Sequence, residues 1–220
     1  MQALIDTRDE FHDLLGIYLP IGIAVAGIIF GLVLFAVIRY RRRDDKLPGQ
    51  RDELPVAEGL YAVALAGIVV FLLAANFSTV DKVDEISDSP GQEVEVTAFQ
   101  WGWRFTYPGD GVTVVGDDRR PPTLVVPTDT TVRFTVSSRD VIHSFWIPEE
   151  RFKKDAFPER ENTFDLVFDE EETVGRCAEF CGLAHADMTF DVVGMPQTEF
   201  DSWLRTQRRA GEIQHGEPRS

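Results

Sequence analysis

Cysteine is nearly absent, with two residues in a chain of 220. That excludes a scaffold stapled by several disulfides, the usual answer of small secreted domains. Lysine is almost as scarce: Lys46, Lys82, Lys153 and Lys154 stand against eighteen arginines. Basic charge is in deficit overall, since 37 acidic and 22 basic residues leave a net charge of −15. A nucleic-acid surface needs a basic footprint, so no nucleic-acid partner is expected. Internal repeats and low-complexity tracts are missing as well. Past residue 76 the count is 28 acidic against 15 basic residues, so nearly all the excess lies there. Two readings of it compete: a docking face for a cationic partner, and adaptation to high salt. The scatter of acid over the whole domain favours the second and suggests a halophile. At such salt the Debye length is about 3 Å, which leaves little long-range steering.

Charge is missing altogether from Ile17 to Ile38, a run of 22 residues. At about 1.5 Å per residue it spans roughly 33 Å, enough for a hydrocarbon core of about 30 Å. Pro20 is expected in the first turn of this helix, where a missing N–H costs little. A signal peptide fits poorly, because the run is long, no small-residue cleavage site follows, and the basic cluster comes after it. Val56–Phe77 is a second apolar run with one acid, Glu58, near its start. Between them lie Arg39, Arg41, Arg42, Arg43, Lys46 and Arg51, whereas only Arg8 precedes the first run. The positive-inside rule makes this loop cytoplasmic. The expected organisation is an outside segment 1–16, membrane helices 17–38 and 56–77 joined by a cytoplasmic loop 39–55, a domain 78–205, and a polar, loose tail 206–220. The chain would be a multi-pass protein of the cell membrane, in contact with lipid, with its domain on the extracytoplasmic side.

The domain shows short strand patterns at Glu93–Phe99, Thr123–Pro127, Thr131–Val136, Thr163–Phe168 and Thr189–Val193, separated by Gly, Pro and Asp clusters. Such spacing predicts an all-β sandwich or barrel. Phe200, Trp203 and Leu204 fall at helical spacing after Thr198, which suggests a short amphipathic helix with a capping box.

The two cysteines, Cys177 and Cys181, are four residues apart. A disulfide across so short a loop would stabilise little. His185 and Met188 follow closely, and a further histidine lies upstream in Asp140-Val-Ile-His143-Ser-Phe-Trp-Ile-Pro148. Thiolate, imidazole and thioether together suit copper rather than a hard cation. Zinc accepts two Cys and two His but has no use for methionine. A single blue-copper site uses only one Cys. Two thiolates bridging two metals would use both and leave one imidazole for each.

Gly175-Arg-Cys-Ala-Glu-Phe-Cys-Gly-Leu-Ala-His-Ala-Asp-Met188 resembles the copper loop of cytochrome c oxidase subunit II. The likeness extends to His143–Pro148, to Lys153–Asn162, to Gln100-Trp-Gly-Trp103 and to the helical hairpin, roughly residues 15 to 205. It implies a cupredoxin-like Greek-key sandwich behind a transmembrane hairpin, carrying a dinuclear copper A centre. By this resemblance Cys177 and Cys181 bridge two coppers. His143 and Met188 complete one metal; His185 and the Glu179 carbonyl complete the other. The Glu179 side chain would share a magnesium or manganese ion with the haem-bearing subunit I. Trp101 would receive electrons from a soluble donor, either a cytochrome c or a small blue-copper protein. Glu58 would mark the entrance of a proton path, with an interfacial acid as the competing reading. Trp103 and Met195 are read as packing, His12 and His215 as surface residues.

The resemblance further implies an electron-input subunit of a terminal oxidase, working with subunit I and other subunits. Electrons would pass to haem there, oxygen would be reduced to water and protons pumped; the chain has no oxygen-reducing centre of its own. A copper A-bearing subunit of a nitric-oxide reductase and a membrane-anchored electron-transfer cupredoxin are the alternatives. The sequence departs from the family at Gly102, where an aromatic is usual between the tryptophans, and at Val174.

Overall fold

In the computed structural model residues 6–41 and 53–216 are described. Arg42, Arg43, Lys46 and Arg51 of the expected cytoplasmic loop lie outside them. The chain divides into two units, Glu10–Asp81 and the remainder.

The first unit is formed by two helices, α1 (Thr7–Arg39) and α2 (Pro55–Val83). Each contains an 18-residue window of high mean hydropathy, 2.9 and 2.3, with none of it buried in protein. Helices that are apolar all round must be covered by something other than water; length and composition suit a membrane. Both are longer than the apolar runs alone imply, because polar turns such as Asp9–Asp13 extend them. Pro20 therefore lies inside α1, thirteen residues from its start, and not in the first turn. Membrane helices tolerate such interior prolines. The Tyr18 hydroxyl donates to the Leu72 carbonyl at 3.2 Å, tying α1 to α2.

The second unit is an all-β sandwich. Its strands are β1 (Gln92–Phe99), β2 (Gly102–Tyr107), β3 (Val112–Asp117), β4 (Thr123–Pro127), β5 (Val132–Ser138), β6 (His143–Ile147), β7 (Phe152–Ala156), β8 (Asn162–Leu166), β9 (Glu172–Cys177) and β10 (Thr189–Met195). They form two five-stranded sheets, ordered β3-β2-β1-β5-β8 and β4-β10-β9-β6-β7. Alternation along β1 sends Val94, Val96 and Ala98 inward and leaves Glu93 and Glu95 outside, the period-two pattern of a sheet with one wet face. Aromatic rings join the inner faces. Phe145 stacks on Phe190 at 5.0 Å and meets Phe134 of the opposite sheet at 5.7 Å. Trp103 meets Phe190 edge-on at 5.3 Å. Phe190 fits because residue 175 is glycine: a Cβ there would lie 2.0 Å from the ring.

The C-terminal helix, α3, runs Gln197–Gly216. The tail expected from residue 206 is thus helical through Gly216. Thr198 does not cap it; the helix starts earlier, and the Pro196 carbonyl accepts the N–H groups of Glu199 and Phe200. Phe200 and Leu204 are buried, and Trp203 meets Tyr107 at 5.3 Å.

Residues Asp6–Arg8 bind the sandwich. Thr7 donates its hydroxyl to the Glu150 carbonyl at 2.6 Å, and Arg8 pairs with Asp6 at 2.7 Å and Asp169 at 2.6 Å. Beneath them the Glu150 side chain is 0% exposed, 3.5 Å from Arg8 Nε, and neither carboxyl oxygen has a hydrogen-bond partner among the described residues. Burial first, and then Asp6, Asp169 and Glu171 around it, push its carboxyl up to about 7 against the pull of Arg8.

Candidate metal centre

Three backbone segments converge at one end of the sandwich. His143 opens β6, Cys177 closes β9, and Met188 immediately precedes β10. The ladders fix their spacing: Phe145 pairs with Cys177, the Cys177 N–H donates to Met188 at 2.9 Å, and the Ala178 N–H donates to Ser144 at 3.0 Å. The loop between β9 and β10 carries Cys181 and the single 3-10 turn His185–Asp187.

All six donors expected from the sequence lie in one cluster. The sulfurs of Cys177 and Cys181 are 3.8 Å apart. A disulfide requires about 2.05 Å, and both cysteines are free. His143 Nδ1 is 3.8 Å from the Cys177 sulfur, and the Glu179 carbonyl oxygen is 3.2 Å from it. His185 Nδ1 and the Met188 sulfur lie 3.6 and 3.7 Å from the Cys181 sulfur. His143, Cys177 and Cys181 form a buried trio whose donor atoms all fall within 4.8 Å of one another. Two sulfurs of cysteine, two imidazole nitrogens, a thioether and a carbonyl make a soft donor set, which fits copper.

The electrostatics set the two thiols apart. Burial opposes ionising Cys177, but hydrogen bonds from His143 and the Ser144 backbone outweigh it and lower its pKa. Burial and the neighbouring Cys177 charge raise that of Cys181. His143 is also held by Asp140: its Nε2–H donates to the carboxylate at 2.9 Å, leaving Nδ1 to face the sulfurs. Metal-bound histidines are commonly oriented in this way. Burial works against the charged His143, yet contacts with Cys177 and Asp140 raise its pKa.

Sequence reasoning passed over Asp140 and Gln100. Asp140 stands three residues before the histidine, a signal visible in hindsight. Its second oxygen accepts the Gln100 N–H at 2.7 Å. Gln100 Nε2 donates to the Cys181 carbonyl at 2.7 Å, and the indole N–H of Trp101 donates to the same oxygen at 3.1 Å. Trp101 is thus half-buried against the loop, whereas Trp103 is fully buried as packing. Position 102 has no room for an aromatic side chain, since a Cβ on Gly102 would lie 2.2 Å from the Gly116 carbonyl. The Glu179 side chain is exposed, as are Phe180 and Leu183. Glu58, in the other unit, accepts the Leu54 N–H at 2.9 Å and so caps the first turn of α2.

Residues 116–195 match the family described as cytochrome c oxidase subunit II, periplasmic domain. A probable cytochrome c oxidase subunit 2 of Streptomyces avermitilis is 32% identical over 86% of this chain and 72% of its own length. The chain belongs to the cytochrome c oxidase subunit 2 family. A probable cytochrome c oxidase subunit 2 of Rickettsia bellii is 27% identical over 94% of this chain and 81% of its own length. The crystal structure of the periplasmic domain of cytochrome oxidase subunit II from Bradyrhizobium japonicum aligns with a TM-score of 0.51 and 28% identity, covering 57% of this chain and 99% of that one. The sandwich is therefore cupredoxin-like, and the chain is a subunit of an oxidoreductase. With its two apolar helices, it is a membrane-anchored protein with an extracytoplasmic domain.

Proposed function

We propose that this member of the cytochrome c oxidase subunit 2 family is the electron-input subunit of a proton-pumping terminal oxidase, built around a dinuclear copper A centre. The observation that carries this reading is the pair of buried, unbridged sulfurs 3.8 Å apart, flanked by His143 and the Glu179 carbonyl on one and by His185 and Met188 on the other. Two coppers held here would supply a one-electron store whose charge is shared over both metals and both sulfurs.

The chain's own residues do the rest. Cys177 and Cys181 would bridge the two coppers; His143 with Met188, and His185 with the Glu179 carbonyl, would complete one metal each. Asp140 fixes the His143 ring, and the two sheets keep the donors in place without rearrangement, which lowers the cost of electron transfer. Trp101 faces the soluble donor, a cytochrome c or a small blue-copper protein, and its indole leads to the Cys181 peptide. The exposed Glu179 carboxylate turns toward the haem-bearing subunit I, where it would help hold magnesium or manganese. The two helices cross the cell membrane as a hairpin among lipid and the other oxidase subunits, with loop 39–55 inside. Glu58 is a candidate for the entrance of a proton path; its bond to Leu54 supports a capping role alongside. The net charge we read as adaptation to high salt.

Electron paramagnetic resonance of the copper-loaded chain in detergent tests the reading. Hyperfine structure from two equivalent coppers is expected, and Cys181→Ser should abolish it. A spectrum of one isolated Cu(II) in the unaltered chain, or survival of the shared signal in the variant, overturns the dinuclear centre.

A further inference from the structure

The turn between β1 and β2 consists of Gln100 and Trp101, and it is held at several points. The Gln100 backbone N–H donates to Asp140, whose other oxygen holds the His143 ring. The Gln100 side chain donates to the Cys181 carbonyl, and so does the Trp101 indole, so one oxygen takes two N–H donors. The Asp118 N–H holds the Trp101 carbonyl from the far side at 2.9 Å. Gly182, at φ 118, lets the turn come close: a Cβ there would lie 3.1 Å from both Gln100 Nε2 and the Trp101 ring.

Gln100 is itself exposed. Fixing a long, solvated side chain costs rotamer freedom, and an exposed hydrogen bond returns little net stability. The bonds are better explained by what they align. One residue reaches the segment of each histidine–cysteine half of the centre: Asp140–His143 through its backbone, Cys181 through its side chain. The next residue is the tryptophan. An amide suits this position because its NH2 end can be turned to donate to the carbonyl; a carboxylate of the same shape has no donor and would repel it.

We propose that Gln100 is a positioning residue for electron input, clamping the Trp101 indole onto the carbonyl of Cys181. The inference rests on the proposed function for its consequence, but its geometric half can be read without metal. In the nitrogen-15 spectrum of the metal-free full chain in detergent, the Trp101 indole signal is assigned by its loss in Trp101→Phe. Gln100→Leu should shift that signal toward the position of a water-exposed indole, and Gln100→Glu, which keeps the shape and polarity, should do the same. An indole signal unmoved in both variants overturns the clamp.

The functional half uses the copper-loaded chain and stopped-flow reduction by cytochrome c at saturation, with dithionite as a small reductant that needs no docking. A displacement of about 1 Å can cost up to a hundredfold in rate, so a fall of about tenfold with cytochrome c is expected for Gln100→Leu. The dithionite rate and the copper spectrum should stay as they were. In a Trp101→Phe background the same substitution should add no further loss, because the two residues act as one unit. Equal slowing with both reductants, an unchanged rate, or a full additional loss in the double variant overturns the proposal. Absence of the two-copper spectrum in the unaltered chain overturns the functional reading beneath it and leaves the indole result standing.

Discussion

Glu150 offers a sharp test of how the sandwich is balanced electrostatically. Its side chain is fully buried, its oxygens lack hydrogen-bond partners among the described residues, and one guanidinium, Arg8, is shared with Asp6, Asp169 and Glu171. Burial and those carboxylates lift its pKa from 4.5 to about 7. A carboxyl whose folded value lies above its unfolded one binds more protons when folded, between the two values. Stability must then fall as pH rises from about 4.5 to about 7 and change no further above that. At about 1.4 kcal/mol for each tenfold change in proton affinity, that lift gives a penalty of about 3.5 kcal/mol at pH 8. For a chain of this size that is roughly 7–14 °C in melting temperature. Glu150→Gln keeps the shape and removes the titration. The measurement is thermal unfolding of the metal-free chain in detergent from pH 4.5 to 8, comparing variant with unaltered protein. The thiols and histidines titrate in both and cancel in the difference. The advantage of Glu150→Gln should grow by about 3 kcal/mol across this range. Two curves that run parallel from pH 4.5 to 8 would refute the argument, because the buried acid would then have found a partner or water.

Two further substitutions probe the site and its support. Asp140→Ala removes the carboxylate that orients His143, and copper affinity should drop about 10- to 100-fold in a chelator competition titration; unchanged affinity would show that the ring is held by packing alone. Gly175→Ala puts a methyl group into the Phe190 ring, so denaturant unfolding should show a loss of about 1–3 kcal/mol from overpacking.

The sequence made β1, β4, β5, β8 and β10 legible because each alternates or forms a short apolar run. The missing strands break those patterns for physical reasons. In β6, His143, Ser144 and Phe145 are all buried in succession, since the cluster of cysteine and histidine donors receives the first and hydrogen bonds satisfy the second. In β9 the inward position is Gly175, beneath Phe190, while Val174 points out, so the apolar pattern reads on the wrong face. Strand β7 carries Lys153 and Lys154 between its buried ends. Cys177, Cys181, His185 and Met188 could be singled out because they share twelve residues, and His143 has a distinctive context; the Glu179 carbonyl came only from the family resemblance. Gln100, Asp140 and Glu150 escaped notice because their roles depend on partners far along the chain: Gln100 meets a carbonyl 81 residues away, and Glu150 meets a threonine 143 residues away. No local pattern encodes such meetings; only the strand order brings them about.

The strand order also explains how one short loop can offer buried donor atoms and an exposed apolar face at once. Along 177–188 the backbone alternates in what it offers. Cys177, Cys181 and Met188 are buried, while Phe180 and Leu183 are 78% and 94% exposed. Glu179 divides itself, its carbonyl toward the Cys177 sulfur and its carboxylate toward solvent. Apolar side chains this exposed are ordinary only when isolated; here they sit on either side of a proposed metal-bridging cysteine. Because the Ser144 and Met188 carbonyls and the Gln100 and Trp101 side chains all bond to the loop backbone, the outward residues cannot shift freely without moving the inward ones. Pressure on Phe180 or Leu183 is therefore carried by the same peptides that fix the sulfurs.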